Sequence, residues 1–347
     1  MRKSVGSQKL QSGTGTRLGV LACLLVLGII TAVIASPYVF SSSAAGGAGG
    51  RGSDDTTGGV EKTSSHDPRF PNYDIRTGKE EGTAEFFVNK RARASKSASD
   101  VADMRDEFVR GENELKARIP HAKVEYNDDI RIPEVITPDV MRSRIEFLTP
   151  PSTGKRSEIL RDFLKDNSTL IGMRSSQLDA LKVTADYKNP DGNISYAHLE
   201  QRINNIPVFR GEVKAGFTRD GRIIRVINNL APGLENATVS QNFGDAGDAV
   251  RSAATNIDHA LKGNLVVNEA ASSADRVVFG DGDWATTAEK MYFPLEPGVA
   301  VPSWRVLIWQ PVNAYYVIVD AESGTVLWRK NITQDQAQSA TYQVYNS

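Results

Sequence analysis

Four histidines are the first residues to consider for metal binding or general-base chemistry. They are His66, His121, His198 and His259, and no two of them lie within 50 residues of each other. A hydrolytic zinc site usually takes two histidines four residues apart on one helix, with a carboxylate nearby. His259 follows Asp258 but has no second histidine near it. We therefore expect no metal site and assign structural roles to all four side chains.

The patterns that support other catalytic mechanisms are also missing. There is no Gly-x-Ser-x-Gly turn for a serine nucleophile and no Gly-x-x-x-x-Gly-Lys-Ser/Thr loop for a phosphate. Cys23, the sole cysteine, lies in an apolar N-terminal stretch, which leaves no disulfide and no thiol chemistry for the folded part. Asp281-Gly282-Asp283 begins like a calcium loop, but the later spacing, including the closing Glu, does not fit. The sequence thus predicts a non-enzymatic chain with no catalytic residue, cofactor site or metal site.

Length and composition indicate a soluble protein of two ordinary domains. The chain has 347 residues, of which 40% are hydrophobic and 24% are charged, close to the average for globular proteins. Its formal net charge is −1. Because phosphate binding needs concentrated positive charge, no nucleic-acid partner is expected.

The N-terminus predicts export. Residues 18–35 are uncharged and mostly apolar, and they follow a basic region over residues 2–17. The small side chains of Val33 and Ala35 favour signal-peptide cleavage between Ala35 and Ser36. An uncleaved anchor is the alternative, since about 18 apolar residues is near the lower limit for spanning a bilayer. We predict a secreted or extracytoplasmic protein that contacts a membrane only if this segment is retained.

The region after the export signal has two parts. Residues 36–67 are rich in Ser, Gly, Ala and Thr, so they cannot bury enough apolar surface to offset their ordering entropy and are predicted to be a flexible linker. Residues 68–155 are mixed in character. Within them, apolar residues at helical spacing predict an exposed helix over 98–118 with a narrow apolar stripe.

A helix and an antiparallel meander are predicted for residues 156–230. Ser157 is a suitable N-cap for a helix over 157–167, whose apolar residues recur at helical spacing. Asn204-Asn205 can adopt left-handed backbone conformations and predicts a hairpin turn between two strands. The predicted strands cover residues 181–187, 194–203, 208–217 and 223–227.

A second helix-then-strands unit is predicted for residues 231–330. Its helix covers 246–261, and its strands cover 304–310, 314–320 and 325–329. The fold class is therefore α+β, with two small modules in which a helix packs on an antiparallel sheet. The last strands are rich in aromatic rings, which either fill the core of a small sheet or anchor a partner. These rings are Trp304, Trp309, Trp328, Tyr315 and Tyr316.

Several segments resemble the N-terminal part of fungalysin-type zinc metallopeptidase precursors. Residues 71–76, 124–127 and 162–164 are similar to successive landmarks of those precursors, and residues 198–212 resemble the fungalysin/thermolysin propeptide motif. The chain has Asn205 and Arg210 where that family often has Gly, which we assign to a turn and to an exposed strand position. The residues that carry the motif are Gln201, Ile206, Pro207, Val208, Phe209, Gly211 and Glu212.

Residues 314–327 are similar to the closing hairpin of a PepSY domain, which these propeptides also carry. The residues that carry this likeness are Tyr316, Val319, Asp320, Gly324 and Val326. The order of the segments along residues 68–347 strengthens the resemblance, because each one alone is only moderately specific.

The resemblance implies an inhibitor and folding chaperone of a zinc metallopeptidase. In the family, the propeptide keeps the peptidase latent and is then cleaved off. The zinc-binding His-Glu-x-x-His helix belongs to the catalytic domain that follows, and it has no matching positions here. The partner expected is therefore a metallopeptidase catalytic domain, in cis or in trans, with residues 331–347 as the linker to it. The chain is then expected to be a truncated or split precursor. The alternative is a stand-alone secreted or envelope-tethered module that binds another protein.

Overall fold

The computed structural model describes residues 70–139, 147–189, 194–236, 239–261 and 263–333. The predicted export signal, the signal cleavage position at Ala35 and Ser36, the 36–67 linker and most of the 331–347 linker lie outside these ranges. Within them, no helix is long and apolar enough to cross a membrane.

Helices occupy both halves of the described chain. They are α1 Thr83–Arg93, α2 Ala98–Arg118, α3 Arg156–Asp166, α4 Ser168–Ile171, α5 Ser175–Asp179 and α6 Ala246–Asn256. The α2 helix has the bounds predicted from its apolar stripe. Its start is fixed by a reciprocal capping box, in which the Ser97 hydroxyl accepts from the Asp100 N–H and the Asp100 carboxylate accepts from the Ser97 N–H.

The strands form two antiparallel sheets that are joined through one parallel pair between two interior strands. They are β1 Tyr73–Asp74, β2 Ala122–Tyr126, β3 Pro133–Pro138, β4 Lys182–Lys188, β5 Ser195–Ile203, β6 Ile206–Phe217, β7 Ile223–Asn228, β8 Arg276–Phe279, β9 Thr286–Glu296, β10 Val299–Trp309, β11 Ala314–Asp320 and β12 Val326–Asn331. The first sheet has the order β4-β5-β6-β7-β3-β2, and the second has the order β8-β9-β10-β11-β12-β1. They meet where β6 and β9 pair in parallel at Val208 and Tyr292.

The first sheet buries one face against helices α2, α3 and α4. Along β5 and β6, residues on that face alternate with exposed or half-buried ones, which is the period-two pattern of a sheet covered on one side. Its core includes Leu115, Leu160, Phe163, Leu164, Leu170, Leu199, Val213, Phe217 and Val226.

The second sheet is covered on both faces, which decides the placement of its aromatic rings. Trp304 and Tyr315 pack in the cluster that α6 covers, whereas Trp328 belongs to a separate cluster against which Phe86 of α1 packs. Trp309 is half-buried and meets the exposed Trp284 edge-on, with ring centroids 5.0 Å apart. Most of the rings therefore fill cores, as the first of the two sequence interpretations proposed.

The α+β class is confirmed, but some element predictions were wrong. Five strands were not predicted, namely β1, β2, β3, β8 and β9. In β9, Pro294 argues against a strand. The predicted helix over 246–261 ends at Asn256, because Asp258 adopts a left-handed φ of 51°. Ser157 is not the N-cap of α3, which is Lys155; the Ser157 hydroxyl instead donates to the Asp186 carboxylate at 2.5 Å.

Candidate interaction surface

The hairpin between β5 and β6 turns through two left-handed residues, as its Asn-Asn sequence predicts. Asn204 has a φ of 50° and Asn205 a φ of 65°. Two positive φ values in succession match the twist of the flanking strands, and Asn tolerates them better than most residues. The turn sets Ile203 opposite Ile206 and so fixes the register at the start of the motif.

A wide bulge interrupts β6 directly after this turn. The pairs Glu200–Glu212 and Arg202–Pro207 are two residues apart on β5 but five apart on β6, so β6 carries the excess residues as a bulge. Arg210 has a φ of 53° within it, which explains why a glycine suits this position. A Cβ added to Gly211 would lie only 2.7 Å from the Cβ of Val208.

The bulge joins the two sheets. Val208 is buried in the α6-covered cluster and pairs with Tyr292 of β9. Phe209 enters the cluster on the other face, with ring centroids 5.2 Å from Phe293 and 5.1 Å from Trp328. The exposed Arg210 lies over the Phe209 and Trp328 rings. Successive motif residues therefore insert into different cores.

Two further motif residues are also structural. The buried Gln201 amide donates to the Ala231 carbonyl at 2.9 Å and accepts from the Ala231 N–H at 2.8 Å. Ile206 is buried in the α6-covered cluster, and Pro207 is half-buried. Of the motif residues singled out from the sequence, Glu212 is the one whose side chain lies on the less buried face of the first sheet.

The closing hairpin is held by a buried carboxylate. Asp320 is 1% exposed and accepts from Lys90 Nζ at 2.7 Å and from the Ser323 N–H at 3.0 Å. The Gly324 N–H donates to the Asp320 carbonyl, and its φ of 71° closes the turn. This ion pair ties α1 to the β11–β12 hairpin.

The other hairpin residues identified from the sequence differ in burial. Val319 is fully buried, and Tyr316 and Val326 are half-buried. The Arg305 guanidinium lies 5.0 Å from the centroid of the Tyr316 ring. These contacts give the hairpin a packing role.

A charged group surrounds Glu212. His198 Nε2 lies 2.8 Å from Glu212 Oε2, and Lys214 Nζ donates to Glu212 Oε1 at 2.6 Å. Burial opposes ionisation of the carboxyl, but the hydrogen bonds from His198 and Lys214 outweigh it and lower the pKa of Glu212 to about 2. Glu212 is therefore a carboxylate at any ordinary pH.

The surface around this group is the face of the first sheet opposite the helices, which we call the open face. Strand register places Tyr187 beside Tyr196, Tyr196 beside Gly216, and Gly216 beside Arg225. The two tyrosine rings are 5.1 Å apart and are each nearly half exposed. A Cβ added to Gly216 would have no atom within 4 Å, so there is an open space between the side chains of Tyr196 and Arg225. The open face consists of Tyr187, Tyr196, His198, Glu212, Lys214, Gly216, Arg225 and Ile227.

This arrangement suits binding rather than catalysis. In protein interfaces, aromatic rings commonly act as the central anchors and charged groups form the surrounding rim. Among the residues that the structure describes, His, Cys, Asp and Glu do not form a group of three or more that could hold a metal ion. This face was not predicted from the sequence, although the alternation of Tyr196 and His198 with buried Ala197 and Leu199 indicates it.

Comparison with known proteins places a propeptide motif in the first sheet. Residues 179–230 match the Fungalysin/Thermolysin Propeptide Motif, which covers β4 to β7 and every motif residue identified from the sequence. This motif occurs in the non-catalytic region of secreted peptidase precursors. A solved structure, the Bacillus megaterium YpeB C-terminal domain, is 11% identical, with 61% of this chain and 77% of that chain covered and a TM-score of 0.25.

Proposed function

We propose that this chain is a propeptide-type inhibitor and folding chaperone of a secreted fungalysin-type zinc metallopeptidase domain, supplied in cis or in trans. The observation that carries the proposal is the propeptide motif over residues 179–230, which builds a folded sheet with one open face. In this proposal, residues 156–230 form the propeptide-motif module and residues 231–330 form a PepSY-like module. Residues 68–155 precede them, and residues 331–347 are a cleavable linker.

The mechanism is occlusion of the peptidase cleft. A stable interface needs about 800 Å² on each partner, which a six-stranded sheet face can supply. The bulge and the two shared cores join the two modules, so a partner on the open face would meet a preorganised surface. The zinc belongs to the partner, and this chain contributes only the surface that covers it.

Chaperone activity would follow from the same contact. A surface that is already folded and that binds the native peptidase domain stabilises that native state by mass action. The tyrosine pair supplies the aromatic anchor, and the charges of Glu212, Lys214 and Arg225 orient the partner.

A bulky side chain at Gly216 tests the open face at a position where an added Cβ meets no other atom. Gly216→Trp fills a position where an added Cβ has no neighbour within 4 Å, so the sheet can accept it. The matched control is Val109→Trp, which places the same ring on α2 at a site that is 52% exposed. The assay is inhibition of a purified fungalysin-type peptidase by the chain and by each variant.

We expect Gly216→Trp to weaken inhibition at least about tenfold, equivalent to about 1.4 kcal/mol, and Val109→Trp to leave it unchanged. Equal inhibition by all three proteins would exclude the open face as the docking surface.

A further inference from the structure

A lysine, an aspartate and a glutamate meet where α1 packs on the β11–β12 hairpin. Lys90 Nζ donates to Asp320 Oδ2 at 2.7 Å and to Glu322 Oε2 at 3.0 Å. The Lys90 and Asp320 side chains are 7% and 0% exposed. The centroid of the Phe86 ring lies 5.3 Å from Lys90 Nζ. An amine and a carboxylate are thus held in contact where almost no water reaches them.

The two oxygens of the Asp320 carboxyl group have different surroundings. Oδ2 accepts from Lys90 Nζ, from the Ser323 N–H at 3.0 Å and from the Ser323 hydroxyl at 2.5 Å. Oδ1 is buried and has no hydrogen-bond partner among the described residues. A buried polar atom without a partner is uncommon and calls for an explanation. An ordinary ion pair explains neither this asymmetry nor the glutamate that lies against the same amine.

We propose that Lys90 and Asp320 condense to form an intramolecular amide bond. The lone pair of the deprotonated Lys90 Nζ attacks Asp320 Cγ, so the Nζ–Cγ bond forms and the Cγ–Oδ1 bond breaks. Oδ1 keeps the electron pair of the broken bond and leaves as water. An ammonium group and a carboxylate thus become one amide and one water molecule, and the reaction needs no oxidant, reductant or other co-reactant.

The groups around the pair supply the catalysis. The Ser323 N–H and hydroxyl donate to Oδ2, where negative charge develops during the attack, as the donors of an oxyanion hole do. Glu322 carries two of the three Nζ protons in turn to Oδ1, and the third stays on the amide nitrogen. The Glu322 side chain is 50% exposed and also pairs with Arg93. A cleft of about 400 Å³, lined in part by Lys90 and Glu322, gives the water an exit.

The fold favours the reaction by fixing both groups in contact. Reacting groups held in this way reach effective concentrations of about 10⁵–10⁸ M, which opposes hydrolysis of the amide. The bond links positions 230 residues apart, whereas the sole cysteine, Cys23, can form no intramolecular disulfide. A cross-link over so long a loop restricts the unfolded chain. Loss of Lys90 would then cost more stability than loss of an ion pair alone.

Peptide mass mapping of the full chain detects the bond. Trypsin does not cut after an acylated lysine, so Lys90 would remain inside a peptide of residues 80–91. That peptide should be joined to residues 306–329, which contain Asp320, at a combined mass lower by one water molecule. The purified full chain is incubated at neutral pH, and samples taken at successive times are denatured and digested.

We expect the linked peptide in most of the folded chain and none of it in Lys90→Arg, which keeps the cation but removes the amine. Asp320→Asn should give the same linked peptide, because ammonia can leave in place of water. Glu322→Gln cannot carry the protons and should slow bond formation at least about 100-fold. The matched control is Lys165→Arg, at a more exposed ion pair with Asp179, which should leave the yield unchanged. Thermal unfolding of each variant checks that the fold is retained.

The proposal is overturned if the folded parent chain is cut after Lys90 in every sample and both peptides have their unlinked masses. Loss of water at any other position, with these two peptides unlinked, would overturn it equally. Equal rates of bond formation in the parent and in Glu322→Gln would contradict the role given to Glu322. None of these outcomes depends on a peptidase partner, since the bond involves this chain alone.

Discussion

Two glycines in β6 have opposite surroundings and should respond oppositely to alanine. A Cβ at Gly211 would lie 2.7 Å from the Val208 Cβ and 3.2 Å from the Val208 carbonyl oxygen, so the bulge must open to accept it. Overpacking of this kind costs about 1–3 kcal/mol. A Cβ at Gly216 meets nothing within 4 Å. There, alanine should stabilise the protein by about 0.4–1 kcal/mol, because it restricts the unfolded chain.

Urea unfolding of the two single variants and the parent protein measures this contrast. The expected difference in the free energy of unfolding between Gly211→Ala and Gly216→Ala is about 1.4–4 kcal/mol, with Gly211→Ala the less stable. If the two variants agree within about 0.5 kcal/mol, which is the usual scatter of surface substitutions, the tight bulge at Val208 is wrong. If Gly211→Ala is as stable as the parent protein, the close packing of Gly211 against Val208 in the bulge that connects the two sheets is contradicted.

Three further substitutions, one of them with a control variant, test particular contacts. Lys90→Met leaves the Asp320 carboxylate buried without its cation and should cost about 3 kcal/mol in urea unfolding, whereas Arg93→Met, at an exposed pair with Glu322, should cost less than about 0.5 kcal/mol. Phe209→Ala empties a ring-filled site between Phe293 and Trp328 and should cost about 3–5 kcal/mol by the same measurement. Because the folded pKa of Glu212, about 2, lies below its ordinary value of 4.5, ionised Glu212 stabilises the fold above pH 4.5 and loses this effect as the pH falls towards 2. The stability gap between the parent and Glu212→Gln should therefore narrow over that range in acid-unfolding curves.

Local signals in the sequence were sufficient for four strands of the first sheet, β4 to β7. Strands β5, β6 and β7 alternate between buried and less buried residues, and an Asn-Asn turn separates the first two. The α+β class follows from that pattern combined with the helical spacing of α2, α3 and α6. The spacing of apolar residues within each of these elements is enough to show which of its faces is buried.

The joint between the sheets could not be predicted from local patterns. Arg210 was assigned to an ordinary exposed strand position, but it lies in a bulge with a φ of 53°. A bulge depends on the register of a neighbouring strand, and β9 was not predicted because Pro294 interrupts its pattern. The Lys90–Asp320 pair links residues 230 positions apart, so no short-range signal reveals it.

The open face and the contact between Trp284 and Trp309 were missed for a different reason. Their residues are common in strands and loops, and each is unremarkable alone. Tyr187 and Tyr196 become a pair only after the β4–β5 register is known, and Trp284 meets Trp309 only after β9 and β10 pair. Surfaces of this kind are defined by tertiary placement.

Inhibition of a purified fungalysin-type peptidase by the chain, titrated near equal molar amounts, is the measurement that decides the propeptide role. We predict saturable inhibition, followed by slow recovery of peptidase activity as the chain is cut within residues 331–347. No inhibition, together with no effect on refolding of the peptidase domain, would contradict a propeptide role and would favour the stand-alone binding module.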